Sequence, residues 1–381
     1  MDAATADTLL LVLVVVARFV VPLFIPAYPL PAVVLCLLLD GADREILVTF
    51  TNLDLSGYQG IDKALDIFYL TVAMLSVLRN WTHAAAARTA RLLYYLRLLG
   101  VAAFELTGWR PFLLLLPNAF EYFFIFYEAV RSRWSPDRLS ARFYLIAAGV
   151  IWVGVKLPQE YWLHVLRLDI TELLKDAVFD VPLSAPWAEA VAARPGALLA
   201  LLAATVAVAL AVWAAARAFV PEPEHRTVLA AGPFPESIDE ARERARFLAA
   251  HWRVVDLHLV EKIVLVSLVT VVFAQVVPRL DATPVQLTLG VAIIVTFNSF
   301  LTLRQARRAR MVGSVFRAFA LLGATNVAFG LLADLLLRRL EGGLHLATTL
   351  FFLLLLTLVV TLYDRWRPVY DVRFAAGAEN R

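Results

Sequence analysis

Residues Phe68 to Trp134, "FYLTVAMLSVLRNWTHAAAARTARLLYYLRLLGVAAFELTGWRPFLLLLPNAFEYFFIFYEAVRSRW", decide the class of this chain. The stretch is apolar enough to hold the end of one membrane span and two more of roughly 20 residues, the length that ~30 Å of hydrocarbon requires. Yet Arg97, Glu105, Asn118, Glu121 and Glu128 lie inside it. An unpaired charge at bilayer depth costs about 3 kcal/mol in insertion assays, so each of these groups needs a partner, a water-filled cavity or a use.

The rest of the chain repeats the pattern. Hydrophobic residues make up 61% of the 381, and the mean hydropathy is +0.73. With no period-two alternation to suggest a barrel, this predicts an all-α, polytopic integral membrane protein. About ten transmembrane helices are expected, near 8–39, 62–80, 90–108, 111–131, 141–160, 196–219, 259–279, 284–303, 312–336 and 344–364. The first is read as one long span broken by Pro22, Pro26, Pro29 and Pro31. The opening "MDAATADTLLLVLVVVARFVVPLF" lacks the basic start of a signal peptide and is read as a retained span.

Only four of the 35 basic residues are lysine, which, with the Ala/Leu/Val bias, points to a high-GC bacterial genome and hence a bacterial cytoplasmic (inner) membrane. The net charge of +3 comes from basic connections and does not suggest nucleic acid. Alternate connections carry 22 and nine Arg/Lys, so the positive-inside rule places both termini and the 221–258 segment in the cytoplasm, and the 40–61 and 161–195 loops outside. Four basic residues, Arg18, Arg97, Lys156 and Arg317, fall within spans.

Two bundles are expected. Residues 1–195 form an N-terminal one with an outward polar pocket and an external interfacial helix anchored by Trp162 and Trp187. Residues 196–381 form a supporting C-terminal one, with an amphipathic helix in 221–258 that either lies on the membrane surface or docks a cytoplasmic partner. That helix carries capping-box spacing at Ser237 and Glu240.

The candidate chemistry belongs to the first five spans. Asp40 and Asp43 close the first span, at the negative end of its dipole, and Asp62 and Asp66 open the second. Four carboxylates at neighbouring helix ends suit Mg²⁺ or Mn²⁺, with solvated ends balanced by Lys63 or Arg44 as the plainer reading. Arg97 and Glu105 share a face of the third span, and Asn118 and Glu121 a face of the fourth, so a pocket of Arg97, Glu105, Asn118, Glu121 and Asp66 is expected. Arg97 would hold an anionic headgroup, and Glu121 would act as acid or base. Asp40-x-x-Asp43 with Asp62-x-x-x-Asp66 resembles the paired aspartates of CDP-alcohol phosphatidyltransferases. Arg44 stands where that family has Gly, the Ala-Arg pair is missing and the interval is one residue longer, so the family is not adopted.

Cys36, the lone cysteine, excludes an intrachain disulfide, and the six histidines show no zinc spacing. No phosphate-binding glycine loop, Gly-x-Ser-x-Gly elbow or His-Glu-x-x-His is present. Three function classes remain: binding or modifying an anionic lipid-linked headgroup at the outer leaflet, cation- or proton-coupled transport, and a structural or assembly role in a membrane complex.

Overall fold

The computed structural model describes residues 3–55, 58–164, 166, 173–183, 185–231, 238–274, 283–308, 315–341 and 346–379. Every regular element among them is helical. Among the described residues, five helices are long and apolar enough to cross a membrane, or six if Trp187–Ala193 and Pro195–Ala211, which meet at 99°, are one broken span. Helix α3 (Tyr58–Asn80) faces protein instead: nearly every residue from Ala64 to Leu78 is buried.

The proline cluster is a turn between two helices, where one kinked span was expected. Helix α1 (Ala3–Val20) runs into a 3₁₀ turn, Val21–Phe24, and α2 (Pro29–Phe50) returns antiparallel to it. Pro29 and Pro31 sit in the first turn of α2, where amide hydrogens have no partner within the helix and their loss is harmless. The Asn52 amide donates to Asp7 Oδ2 at 3.1 Å, so the start of α1 lies at the same end of the bundle as residues 51–55. Asp40 and Asp43 consequently lie in the body of α2, not at the end of a span, and the helix-dipole reason for a cation there no longer applies.

Helix α3 runs back from the 51–55 end to the 25–28 turn, where the Asn80 amide donates to Pro26 O at 3.1 Å. The next elements are α4 (Ala84–Thr107), α5 (Pro111–Leu115), α6 (Ala119–Arg133) and α7 (Ala141–Gly149). A π-helical segment, Val150–Lys156, leads from α7 into α8 (Leu157–His164). The fourth span is thus interrupted at Leu116–Asn118, and the fifth is locally unwound. Gly100 of α4 permits the first of these breaks to pack closely: a Cβ there would lie 2.7 Å from Leu116 Cβ and 3.2 Å from the Leu116 and Phe112 carbonyl oxygens.

The single external helix expected in 161–195 is, among the described residues, a short π-helical turn, Leu174–Phe179, and α9 (Trp187–Ala193). Prolines 182 and 186 separate them, and the Phe179 and Trp187 rings meet edge-on at 5.8 Å. After α10 (Pro195–Phe219), residues 221–231 cross the 25–28 end of the bundle: Glu224 N donates to Arg133 O (3.0 Å), Val228 N to Ser132 O (2.9 Å) and Ala231 N to Ala27 O (2.8 Å). Helix α11 (Ile238–His251) is amphipathic, burying Ala245 and Leu248. The Ser237 to Glu240 cap lies outside the described residues. Helices α12 (Leu257–Ala274), α13 (Pro284–Arg307), α14 (Val315–Glu341) and α15 (Leu346–Glu379) complete the chain.

One continuous apolar core runs from Ile25 to Tyr370, with α3 at its centre, packed on α2, α4, α12 and α15. The Asn326 amide bonds Thr357 Oγ1 at 2.7 Å across α14 and α15, a packing role.

Candidate functional site

Helical spacing builds the site from four stripes. Cys36, Asp40 and Asp43 recur at four and three residues on α2, and Asp62, Asp66 and Tyr69 at four and three on α3. Arg18 comes from α1, and Glu121 from the first turn of α6. Antiparallel packing brings the stripes to one level.

At the centre is Arg18, 4% exposed. Its guanidinium reaches all four aspartates: Nη2 bonds Asp40 and Asp66 at 2.6 Å each, while Nη1 bonds Asp62 at 2.5 Å and also Asp43. Neither Lys63 nor Arg44 balances them. Asp43 is the most enclosed of the four, accepting further bonds from Tyr58 OH (2.6 Å) and the Arg44 amide (2.5 Å). Asp40, Asp62 and Asp66 keep about a third of their side-chain surface accessible. One oxygen from each of these three lies within 4.8 Å of the others, a spacing that fits ligands 2.0–2.6 Å from a shared Mg²⁺, Mn²⁺ or Ca²⁺. A single guanidinium offsets one of the four carboxylates; solvent at the three partly open ones, added protons or a cation would offset the rest.

Tyr69 links this cluster to the next. Its hydroxyl donates to Glu121 Oε1, and Asn118 Nδ2 donates to Glu121 Oε2 at 2.8 Å. Asn118 also caps α6, accepting the Glu121 amide at 3.4 Å, so the break at Pro117 aims both side chains at one place. Lys156, buried at the end of the π-helical segment, stands 4.0 Å over the Tyr122 ring, and its charge and that of Arg97 both act on Glu121. Arg97 is unlike the rest: its Nε and Nη1 are buried without a hydrogen-bond partner. No ion pair joins it to Glu121 or Glu105 among the described residues.

Glu105 lies apart from the expected pocket, paired instead with Lys63 at 3.2 Å. Glu128, fully buried, accepts from Trp81 Nε1 (2.8 Å) and Arg131 Nε (2.6 Å). Of the five residues singled out in the opening stretch, Glu105, Asn118, Glu121 and Glu128 are therefore partnered and Arg97 is not.

Sequence reasoning missed a second charged region in the C-terminal helices. Lys262, 1% exposed, pairs with Asp364 and donates to Ser299 Oγ at 2.7 Å. Glu261 joins Arg91 of α4 (2.6 Å) to Arg367 of α15 (2.9 Å), and Arg367 continues to Asp371 (3.0 Å) and on to His258 (3.0 Å). Apart from the i,i+4 pair of Arg367 and Asp371, these ion pairs span about 100 residues or more of sequence, and no local pattern announces them.

Comparison with known protein families, with characterised proteins and with solved structures finds no match to this chain.

Proposed function

We propose that this chain is a bacterial inner-membrane protein that binds or modifies an anionic, lipid-linked headgroup together with a divalent cation. The observation that carries the reading is a double deficit in one connected site. Asp40, Asp62 and Asp66 hold more negative charge than Arg18 offsets, while Arg97, near Glu121 and Lys156, holds buried donors with no acceptor. A phosphate-bearing headgroup chelating Mg²⁺ or Mn²⁺ supplies both missing partners, with Arg97 and Lys156 facing the phosphate. Glu121 then stands beside the headgroup as a proton carrier.

In this reading the hairpin gives eleven crossing segments. The start of α1 and residues 51–55 lie outside, and the 25–28 turn, the arginine-rich connections and the C-terminal end of α15 lie in the cytoplasm, in keeping with the charge asymmetry. This revises the N-terminus from cytoplasmic to external. The aspartate cluster then sits in the outer half of the membrane.

The interrupted α5–α6 and the π-helical segment before α8 favour a second reading, a cation-coupled transporter, because broken helices commonly line transport sites. Native mass spectrometry of purified protein with dioctanoyl phosphatidylglycerol, with and without Mg²⁺, tests the first. Binding should need Mg²⁺ and weaken about tenfold or more in Arg97→Gln and in Asp66→Asn. Equal binding of a zwitterionic lipid, indifferent to Mg²⁺ and to both substitutions, refutes it. Metal-dependent flux in liposomes without headgroup retention selects the transporter.

A further inference from the structure

On α13, Leu289, Ile293, Phe297, Phe300, Arg304 and Arg307 follow one another at four- and three-residue steps and so share one stripe of the helix. The four apolar members line a groove of about 590 Å³ whose opposite wall includes Phe329 of α14. Thr296 is the one polar side chain in its lining. The groove is open because α14 packs chiefly on α15 and meets α13 here at the Phe297 and Phe329 rings, 5.1 Å between centroids. From Leu289 to Phe300 it runs about 16 Å at 1.5 Å per residue, half of ~30 Å of hydrocarbon and so the depth of one leaflet.

The Phe300 end of the groove is basic. Arg304 and Arg307 carry the stripe on past Phe300, and both are exposed. Val254 lines the groove and also stands among Ser299, Thr302 and Leu303, so the exposed Arg253 next to it in sequence lies at the same end. None of these three arginines has an ion-pair partner among the described residues. An apolar slot one leaflet deep that ends in unpaired guanidiniums matches a phospholipid in both length and charge. Hydrocarbon restores the dispersion contacts that an empty slot forfeits, and basic side chains at the membrane surface attract anionic headgroups.

We propose that this groove binds an anionic phospholipid of the inner leaflet. One acyl chain lies along α13 between Leu289 and Phe300, and the headgroup phosphate meets Arg304, Arg307 and Arg253. The acyl chain then supplies packing between α13 and α14 that protein side chains do not. The proposal rests on the membrane reading and orientation given above, and not on the role of the aspartate cluster.

The test titrates full-length protein, stripped of lipid in a neutral detergent, with dioleoyl phosphatidylglycerol and separately with dioleoyl phosphatidylcholine, read by native mass spectrometry. EDTA is present throughout, which silences the Mg²⁺-dependent binding proposed for the aspartate site. Ile293→Trp obstructs the groove, and Arg304→Gln with Arg307→Gln discharges its end; all three positions are exposed, so both variants should fold. The site is supported by one phosphatidylglycerol per chain, held about tenfold more tightly than phosphatidylcholine and weakened about tenfold or more in each variant, but unchanged in Arg97→Gln. Equal affinity for the two lipids, or full affinity kept in either variant, overturns it. Loss of binding in Arg97→Gln also overturns it, by placing the lipid at the aspartate site. So does a dimer that Ile293→Trp dissociates, which would assign the face to a second copy of the chain.

Discussion

Replacing Arg18 by methionine removes the one cation that four carboxylates share while keeping a side chain of similar length. The guanidinium is 4% exposed and makes four ionic contacts, so its loss leaves like charges facing each other with nothing between them. Deleting one partner of a buried ion pair destabilises by about 3–5 kcal/mol. The partial exposure of Asp40, Asp62 and Asp66 moderates this, since water or protons can relieve part of the repulsion, which places the expected loss near the lower figure. At about 2 °C per kcal/mol for a large domain, the melting temperature in EDTA should fall by about 6 °C. Millimolar Mn²⁺ should restore most of it, because the three-oxygen site then gains the cation it lost; wild type, with Arg18 in place, should respond less. Differential scanning fluorimetry of detergent-solubilised protein reads both effects. A variant as stable as wild type in EDTA, or one indifferent to Mn²⁺, would refute the claim that this cluster demands a cation.

Gly100→Ala should destabilise by about 1–3 kcal/mol through overpacking, because backbone carbonyls of Phe112 and Leu116 meet the new methyl; chemical denaturation checks it, and an unchanged midpoint contradicts the close contact. Lys262→Met should cost about 3–5 kcal/mol by stranding Asp364, and adding Asp364→Leu should recover most of that, as a double-mutant cycle would show. His83, in the connection before α4, caps that helix by accepting the Ala86 amide, and burial lowers its pKa below the usual histidine value despite the opposing pull of Asp137. Its neutral form is the one the fold favours. This contribution is full above about pH 6.5, the unfolded value, and is lost as pH falls through the lower folded value. His83→Asn, which keeps a capping side chain, should flatten melting temperature against pH across that interval, whereas an unaltered slope would assign the acid sensitivity elsewhere.

How far the sequence could be read depended on whether the deciding contacts were local. Helical content followed from apolar runs, and the faces pairing Asp40 with Asp43, Asp62 with Asp66 and Asn118 with Glu121 followed from three- and four-residue steps. The partner of the aspartates did not. Arg18 was visible as a charge within a span, but "PLFIPAYPLP" was read as a kink, which put Arg18 in the same helix as Asp40 instead of opposite it. Length held the clue. Residues 8–39 make about 48 Å of helix at 1.5 Å per residue, well beyond ~30 Å of hydrocarbon, and a turn resolves the excess. Lys262 with Asp364, and Arg91 with Glu261, gave no such clue, since their meeting is set by helix packing across the whole chain.

The most direct test of the central claim is a Mn²⁺ titration of purified protein followed by electron paramagnetic resonance, with dioctanoyl phosphatidylglycerol present and absent. Asp40, Asp62 and Asp66 as ligands predict one bound Mn²⁺ per chain, lost in Asp62→Asn and Asp66→Asn. The anionic lipid should tighten binding in wild type but not in Arg97→Gln. A spectrum of free aquo-Mn²⁺ throughout, or equal binding in wild type and both aspartate variants, would contradict the account.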